Sequence, residues 1–189
     1  MLESIPTIDS RIVPIAIITV AVAALAVYGQ RRRLGPNSDW VEVVRPPCLP
    51  VLDPFVERYV GGVGVAYELS EDELAGHIPA PPEDVEETLW AAGCRRNVVS
   101  AYKTLEADGR SQQGAWVYRG DDIPADKQID IMLFATPDGG TDVFAHEEFS
   151  SNLSLLFSNP DVLRKHYQGV DYDPEAGARW VRKRFKRVQ

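Results

Sequence analysis

The run His146-Glu147-Glu148 is the first place in this sequence where side chains could do chemistry. A histidine beside two carboxylates can bind a divalent metal ion or exchange protons with a substrate. Asp142, four residues earlier, is a further candidate. A zinc protease motif requires His-Glu-x-x-His on a helix, but position 150 is serine. The simpler interpretation is a hydrogen-bonded or surface histidine at a strand end, so the sequence assigns no catalytic residue and no metal ligand here.

Other reactive side chains lack the neighbours that would activate them. Ser100, Ser150 and Ser151 do not stand in the Gly-x-Ser-x-Gly setting of a serine hydrolase. Cys94 follows an apolar helical pattern, and the spacing of the histidines does not favour a thiol site, which indicates a buried thiol. A single disulfide bridge with Cys48 stays open as an alternative.

Several aspartates stand near glycines and could imitate a calcium-binding loop: Asp138, Asp142, Asp171 and Asp173. The sequence lacks the alternating acidic positions and the distal glutamate of an EF-hand. Turn and helix-cap roles account for all four residues. A phosphate-binding glycine motif is also absent from the sequence. We therefore expect neither a cofactor nor a small-molecule substrate.

Cap signals predict the helices that must position these residues. Ser70 and Glu73 form a capping box, which predicts a helix over 71–77. Pro82 and its acidic neighbours open a second helix that ends at Gly93. Two later helices begin at the pairs Asn159-Pro160 and Asp173-Pro174.

Four strands are predicted between these helices, over 97–105, 113–119, 128–136 and 141–147. The pair Asp108-Gly109 and the run 137–140 are tight-turn signals that join them in succession. Short connections favour antiparallel pairing of neighbouring strands. The predicted fold class is therefore α+β, with a four-stranded antiparallel sheet and flanking helices.

Residues 12–29 are uncharged and strongly apolar, which predicts a single transmembrane helix. At 1.5 Å per residue the segment spans ~27 Å, close to the hydrocarbon thickness of a bilayer. It is followed directly by Arg31, Arg32 and Arg33, whereas the N-terminal flank has one arginine and two acidic residues. The positive-inside rule then places the N-terminus outside and the remainder of the chain in the cytoplasm.

A cleaved signal peptide is the competing interpretation of this segment, with Ala24-Leu25-Ala26 as the cleavage sequence. Its n-region lacks net positive charge, and the three arginines would have to cross the membrane, so the anchor is favoured. The predicted organisation is a tail over 1–11, the membrane helix over 12–29, an arm over 30–69 and a soluble domain over 70–189.

The charge distribution excludes some partners and indicates an environment. Residues 34–178 hold 10 basic and 26 acidic residues, a net charge of −16. Such a body repels the phosphate backbone of nucleic acids. The chain has 15 arginines but only 5 lysines. An acidic surface poor in lysine is typical of a cytosol with molar salt, where charge repulsion is screened over ~3 Å. An ordinary acidic domain is the alternative.

The arm is rich in proline, which favours extended backbone. It also carries apolar residues that a solvated spacer would not need. We expect four of them to contact a protein partner: Trp40, Val43, Phe55 and Tyr59.

The last helix is basic against this acidic background. Its six cations are Arg179, Arg182, Lys183, Arg184, Lys186 and Arg187. The favoured interpretation is that Trp180 and Phe185 dock into the domain core while the cations pair with the acidic surface. Contact with anionic lipid or an acidic partner is the first alternative. Binding of nucleic acid is the second.

One resemblance is carried by the stretches ETLWAAGCRRNVVSAYKTLEADG, GAWVYRG, MLFATPDGGTDVFAHEEFSS and HYQGVDYDPEAG. Over residues 80–178 the chain resembles small membrane-anchored proteins of haloarchaea and of their tailless icosahedral viruses with an internal membrane. The resemblance carries over no activity and no functional residue. In its viral form it implies a virion membrane protein that links the lipid layer to the capsid shell.

These observations favour a non-enzymatic, membrane-anchored structural or interaction protein whose partners are the lipid bilayer and a coat or envelope protein. The alternative is a membrane-tethered enzyme or metal-dependent hydrolase that uses His146, Glu147 and Glu148.

Overall fold

The computed structural model describes residues 66–97, 100–151 and 159–185. Several predicted features lie outside the described residues: the apolar segment 12–29, the arginines 31–33, the arm residues Trp40, Val43, Phe55 and Tyr59, and the last two cations, Lys186 and Arg187. Within the described residues, no helix has the length and apolar character needed to cross a membrane.

A five-stranded antiparallel sheet is the largest unit of the described chain. Its strands lie in the order β2 (Leu74–Ile78), β7 (Thr141–Phe149), β6 (Lys127–Ala135), β5 (Gly114–Tyr118) and β3 (Arg95–Arg96). A separate two-stranded parallel sheet pairs β1 (Ala66–Leu69) with β4 (Tyr102–Leu105). The helices are α1 (Pro82–Ala91), α2 (Pro160–Tyr167) and α3 (Pro174–Arg184). The predicted α+β class is therefore confirmed.

The prediction of a helix over 71–77 is wrong. The structure has a short 3₁₀ turn over Glu71–Glu73, and the hydroxyl of Ser70 makes no capping hydrogen bond. β2 follows at once and pairs with β7, with a register shift between Leu74 and Gly76. Backbone pairing with a long neighbouring strand therefore overrides the local helix signal.

The predicted four-stranded sheet is also corrected. The Asp108-Gly109 turn forms, with Gly109 at φ 71°. β4, however, pairs with β1, and it meets the chain after the turn through an isolated bridge from Thr104 to Ser111 rather than as a strand of the main sheet. β1, which pairs with β4, lies before residue 70, where the sequence places the start of the soluble domain.

One face of the main sheet packs against α1 and α3. Each helix begins with proline at its first turn, and the Asp173 side chain caps α3 by accepting a hydrogen bond from the Ala176 N–H. The core between the helices and the sheet is closed by buried apolar side chains from both layers, among them Val85, Leu89, Trp116, Ile129, Ile131, Leu133, Val143, Trp180 and Val181. Trp180 and Phe185 are buried in this core, as the favoured interpretation of the basic helix expects of its aromatic residues.

The other face of the sheet divides into an apolar and a polar half. In the apolar half, Leu69 of β1 and Leu105 of β4 pack on Met132, Phe134 and Phe144. In the polar half, the same alternation along β6 and β7 brings Gln128, Asp130, His146 and Glu148 onto this face. The two-stranded sheet lies over the apolar half, and Lys103 of β4 reaches Asp130 in the polar half.

Candidate functional site

Five ionisable side chains meet in the polar half of the sheet, and we name them the buried charge cluster: Glu73, Lys103, Asp130, His146 and Glu148. Asp130 of β6 lies directly opposite His146 of β7. Gln128 and Glu148 form the next pair on the same face. The two central strands therefore position the cluster, and the 3₁₀ turn and β4 supply Glu73 and Lys103.

His146 is held by its Nδ1 atom. This nitrogen lies 2.9 Å from Glu73 Oε2 and 2.7 Å from the Tyr172 hydroxyl. The Tyr172 ring covers the imidazole, with 4.1 Å between ring centroids. The other nitrogen, Nε2, faces Glu148 Oε2 at 3.6 Å and Asp130 Oδ2 at 3.9 Å. The ring is therefore fixed with Nε2 directed between two carboxylates.

The Asp130 carboxylate accepts hydrogen bonds from three neighbouring side chains. Its Oδ2 receives the Lys103 ammonium at 2.6 Å and the Ser100 hydroxyl at 3.2 Å, while its Oδ1 receives the Asn97 amide at 2.8 Å. Lys103 also donates to Ser100 Oγ at 2.8 Å. A lysine beside a serine can act as its base only when neutral. Because Asp130 holds this ammonium in an ion pair, the arrangement does not activate Ser100.

Glu148 is anchored from two sides. Gln128 donates to Oε1 at 2.6 Å, and His166 Nδ1 lies 3.2 Å from Oε2. Arg119 holds Gln128 in turn, because its Nε and Nη2 atoms donate to the Gln128 amide oxygen at 2.9 and 2.7 Å. The hydroxyls of Ser150 and Ser151 accept further hydrogen bonds from Arg119. Both serines thus serve as structural hydrogen-bonding groups.

The charges in this region shift one another's pKa values. Burial alone would lower the pKa of His146, but the carboxylates of Glu148, Glu73 and Asp130 outweigh it and raise the pKa to about 9. Burial disfavours the charged form of Glu148, yet His146 and His166 hold its pKa well below the usual range. Burial lowers the pKa of Arg119 to about 10. The charged forms of His146 and Glu148 therefore stabilise one another in the buried interior.

The sequence groups Asp142, Glu147 and Glu148 with His146, but the structure keeps only Glu148 beside it. His146 and Glu148 share a face, whereas Glu147 alternates away and forms backbone hydrogen bonds with Asp173. Asp142 lies near the other end of β7, where it pairs with His77 at 3.1 Å and Arg110 at 2.8 Å. Of the two expected alternatives for His146, a hydrogen-bonded or a surface histidine, the structure shows the hydrogen-bonded one. The residue is buried within β7, so the expected position at a strand end is wrong.

Sequence reasoning missed Asp130 as a neighbour of His146 and Lys103 as the partner of Asp130. Asp130 stands in the predicted strand over 128–136, whose other residues are mainly apolar, and Lys103 stands in the predicted strand over 97–105, which is expected to pair with 113–119. A signal existed, because Gln128-x-Asp130 and His146-x-Glu148 alternate with period two on either side of one tight turn. Folding the hairpin about residues 137–140 would have paired them.

The cations on α3 are mainly at the surface. Arg184 pairs with Asp122, and Arg179 lies 3.3 Å from Glu175 within the same helix. Arg182 donates to the Ala75 carbonyl at 3.3 Å. These contacts agree with pairing of the helix to its own domain, and exposed ion pairs of this kind contribute little stability.

Cys94 is fully buried in the core between α1 and the sheet, and burial raises the pKa of its thiol to about 12. On the order of one thiol in ten thousand is then ionised at pH 8, so the folded protein should resist thiol reagents. We expect Cys94 in a Cys48→Ser background to react with a disulfide reagent only after urea unfolding. Rapid labelling of the folded variant would contradict this prediction.

The arrangement can hold a cation or stabilise the interior, but its side chains do not converge on an exposed surface. Comparisons of the chain with protein-family models, with curated proteins and with solved structures gave no match.

Proposed function

We propose that this chain is a non-enzymatic, membrane-anchored interaction protein whose α+β domain is displayed at a bilayer surface. In this proposal residues 12–29 span the bilayer, the arginines 31–33 lie at its cytoplasmic surface, and the N-terminus lies outside. The domain supplies a stable, acidic platform, and the arm before it contacts a protein partner.

The closed state of the buried charge cluster is the observation that carries the proposal. The side chains of His146, Lys103 and Asp130 are only 1%, 2% and 3% exposed. Their charged groups are engaged with one another, so they stabilise the junction of β6, β7 and β4. A catalytic group must reach its substrate, and these side chains do not.

The expected partners are a bilayer and a coat or envelope protein. The resemblance to proteins of haloarchaea and their viruses supports a virion setting, in which the domain faces the capsid and the anchor lies in the internal membrane. Nucleic acid is not an expected partner, since the net charge of −16 over residues 34–178 opposes phosphate.

A membrane-tethered, metal-dependent hydrolase is the second candidate. It is favoured by one observation, the approach of donor atoms of Asp130, His146 and Glu148 to within 4.8 Å of one another. Against it, Glu147 alternates to the other face of β7 from His146, and its backbone pairs with that of Asp173. Hydrolysis of ester, peptide or phosphate substrates that is lost in Glu148→Gln would support this candidate.

The proposal predicts that partner association depends on the arm and not on the folded domain. The full chain with Phe55→Ser and Tyr59→Ser should lose most of its cross-linked partner, about tenfold, because buried aromatic anchors dominate interface energy. The measurement is cross-linking of intact native membranes or particles at native salt, followed by mass spectrometry.

Val170→Ser provides a matched control, since Val170 is an exposed apolar residue of the folded domain. It should leave cross-linking unchanged, and near-ultraviolet circular dichroism should show that both variants keep the domain folded. Undiminished cross-linking of the arm variant, or cross-links confined to the chain itself, would refute the proposed contact.

A further inference from the structure

Three atoms in the buried charge cluster point toward one another without a hydrogen bond between them. They are His146 Nε2, Asp130 Oδ2 and Glu148 Oε2, with the nitrogen 3.9 and 3.6 Å from the two oxygens. All three lie within 4.8 Å of one another. Ligand atoms around a divalent ion with bonds of ~2.1 Å are separated by ~3 to 3.6 Å. The two nitrogen–oxygen distances are therefore at or close to this range, and the two carboxylate oxygens would have to approach one another as an ion binds.

The remaining polar atom of each side chain is anchored by a neighbour. His146 Nδ1 is bound by Glu73 and Tyr172, as metal-ligating histidines are commonly bound through their second nitrogen to a carboxylate. Asp130 Oδ1 accepts from Asn97, and Glu148 Oε1 accepts from Gln128 at 2.6 Å. These contacts leave His146 Nε2 facing the two inner oxygens, which have partners of their own. His166 Nδ1 lies 3.2 Å from Glu148 Oε2, and Lys103 and Ser100 donate to Asp130 Oδ2. The contacts of the outer atoms are the outer-shell arrangement that tunes and orients metal ligands.

We propose that Asp130, His146 and Glu148 form a binding site for a divalent transition-metal ion such as Zn²⁺. One imidazole nitrogen and two carboxylate oxygens are a donor set that suits Zn²⁺, Mn²⁺ or Fe²⁺, whereas Mg²⁺ prefers oxygen donors alone. The two carboxylates match the charge of a divalent ion. The ion takes the place of the proton on Nε2 between them.

Lys103 defines the metal-free state of this site. Its ammonium lies 2.6 Å from Asp130 Oδ2, the same oxygen that the ion would bind. A cation is thus already positioned at the edge of the site, and metal binding must weaken this ion pair. The ion and the ammonium therefore compete for Asp130, and removal of Lys103 should favour the ion.

This inference extends beyond the proposed docking role, because a buried ion needs no substrate and does not make the protein an enzyme. Asp130 lies on β6, and His146 and Glu148 lie on β7. A bound ion would cross-link the two central strands. Its effect is therefore expected in stability and metal content rather than in turnover.

The first test measures metal content of the purified full-length chain in detergent at pH 8. After incubation with Zn²⁺ and gel filtration, the wild type should retain one Zn²⁺ per chain, and Mg²⁺ should not replace it. Asp130→Asn and Glu148→Gln should each weaken Zn²⁺ affinity at least tenfold in a chelator competition. His77→Gln is the matched control, because His77 lies near Asp138 and Asp142 in a separate, more exposed group.

The second test needs no ligand substitution. Zn²⁺ should raise the melting temperature of the wild type in a concentration-dependent manner, as an ion that binds the folded state must. Lys103→Met should bind Zn²⁺ about tenfold more tightly than the wild type. If neither protein retains Zn²⁺ or gains thermal stability, the proposal is wrong. Retention that is lost in His77→Gln but kept in Asp130→Asn would assign the ion to the surface group and would equally overturn it.

Discussion

Asp130→Ala is expected to destabilise the metal-free protein by about 3–5 kcal/mol, the range for breaking a buried ion pair by removing one partner. The substitution takes the carboxylate from the Lys103 ammonium, whose side chain is only 2% exposed. It also removes the acceptor of the Asn97 amide and the Ser100 hydroxyl. The midpoint and slope of urea unfolding of the full chain, followed by tryptophan fluorescence, measure the change.

Lys103→Met should cost clearly less than Asp130→Ala. Its aliphatic chain replaces the lysine stem, and Asp130 keeps Asn97, Ser100 and the nearby His146 as partners. Asp161→Ala is the surface control, because its ion pair with Arg164 is exposed and should contribute little. Equal losses of unfolding free energy in the Asp130 and Asp161 variants would show that the buried ion pair stabilises the fold no more than an exposed one does.

Gly177→Ala should have the second large effect, and its sign opposes helix propensity. Alanine stabilises an exposed helix interior by about 1 kcal/mol relative to glycine. At Gly177, however, an added Cβ would lie 2.4 Å from the backbone N and Cα of His146 and 2.5 Å from the carbonyl carbon of Ala145. The backbone of a central strand is fixed by its hydrogen bonds and cannot relieve the contact by a rotamer change, as a side chain can.

We therefore expect Gly177→Ala to displace α3 from β7 and to lower the free energy of unfolding by about 1–3 kcal/mol, as overpacking of a close contact does. Acrylamide quenching should show greater exposure of Trp180, which is buried on the same helix. Arg179→Ala tests the helix itself without the contact, since Arg179 is exposed. A neutral or stabilising Gly177→Ala would mean that α3 lies farther from the sheet than the structure shows.

The sequence by itself determined the elements whose signals are local. Proline at the first turn and a capping aspartate begin α3 at Pro174, and an apolar stripe turns Trp180 and Val181 toward the sheet. The tight turn after β6 likewise determines the β6–β7 hairpin. These features depend on interactions between residues a few positions apart, so they can be predicted without knowing which distant segments become neighbours.

Tertiary structure alone decided the edge of the sheet and the contents of the buried charge cluster. Leu74–Ile78 becomes a strand because β7 offers it hydrogen bonds, although Ser70 and Glu73 give a helix signal. Lys103 meets Asp130 because β4 does not pair with β5, the next strand in sequence, but pairs in parallel with β1. Such contacts depend on which strands become neighbours, and burial then determines the energy of each charge.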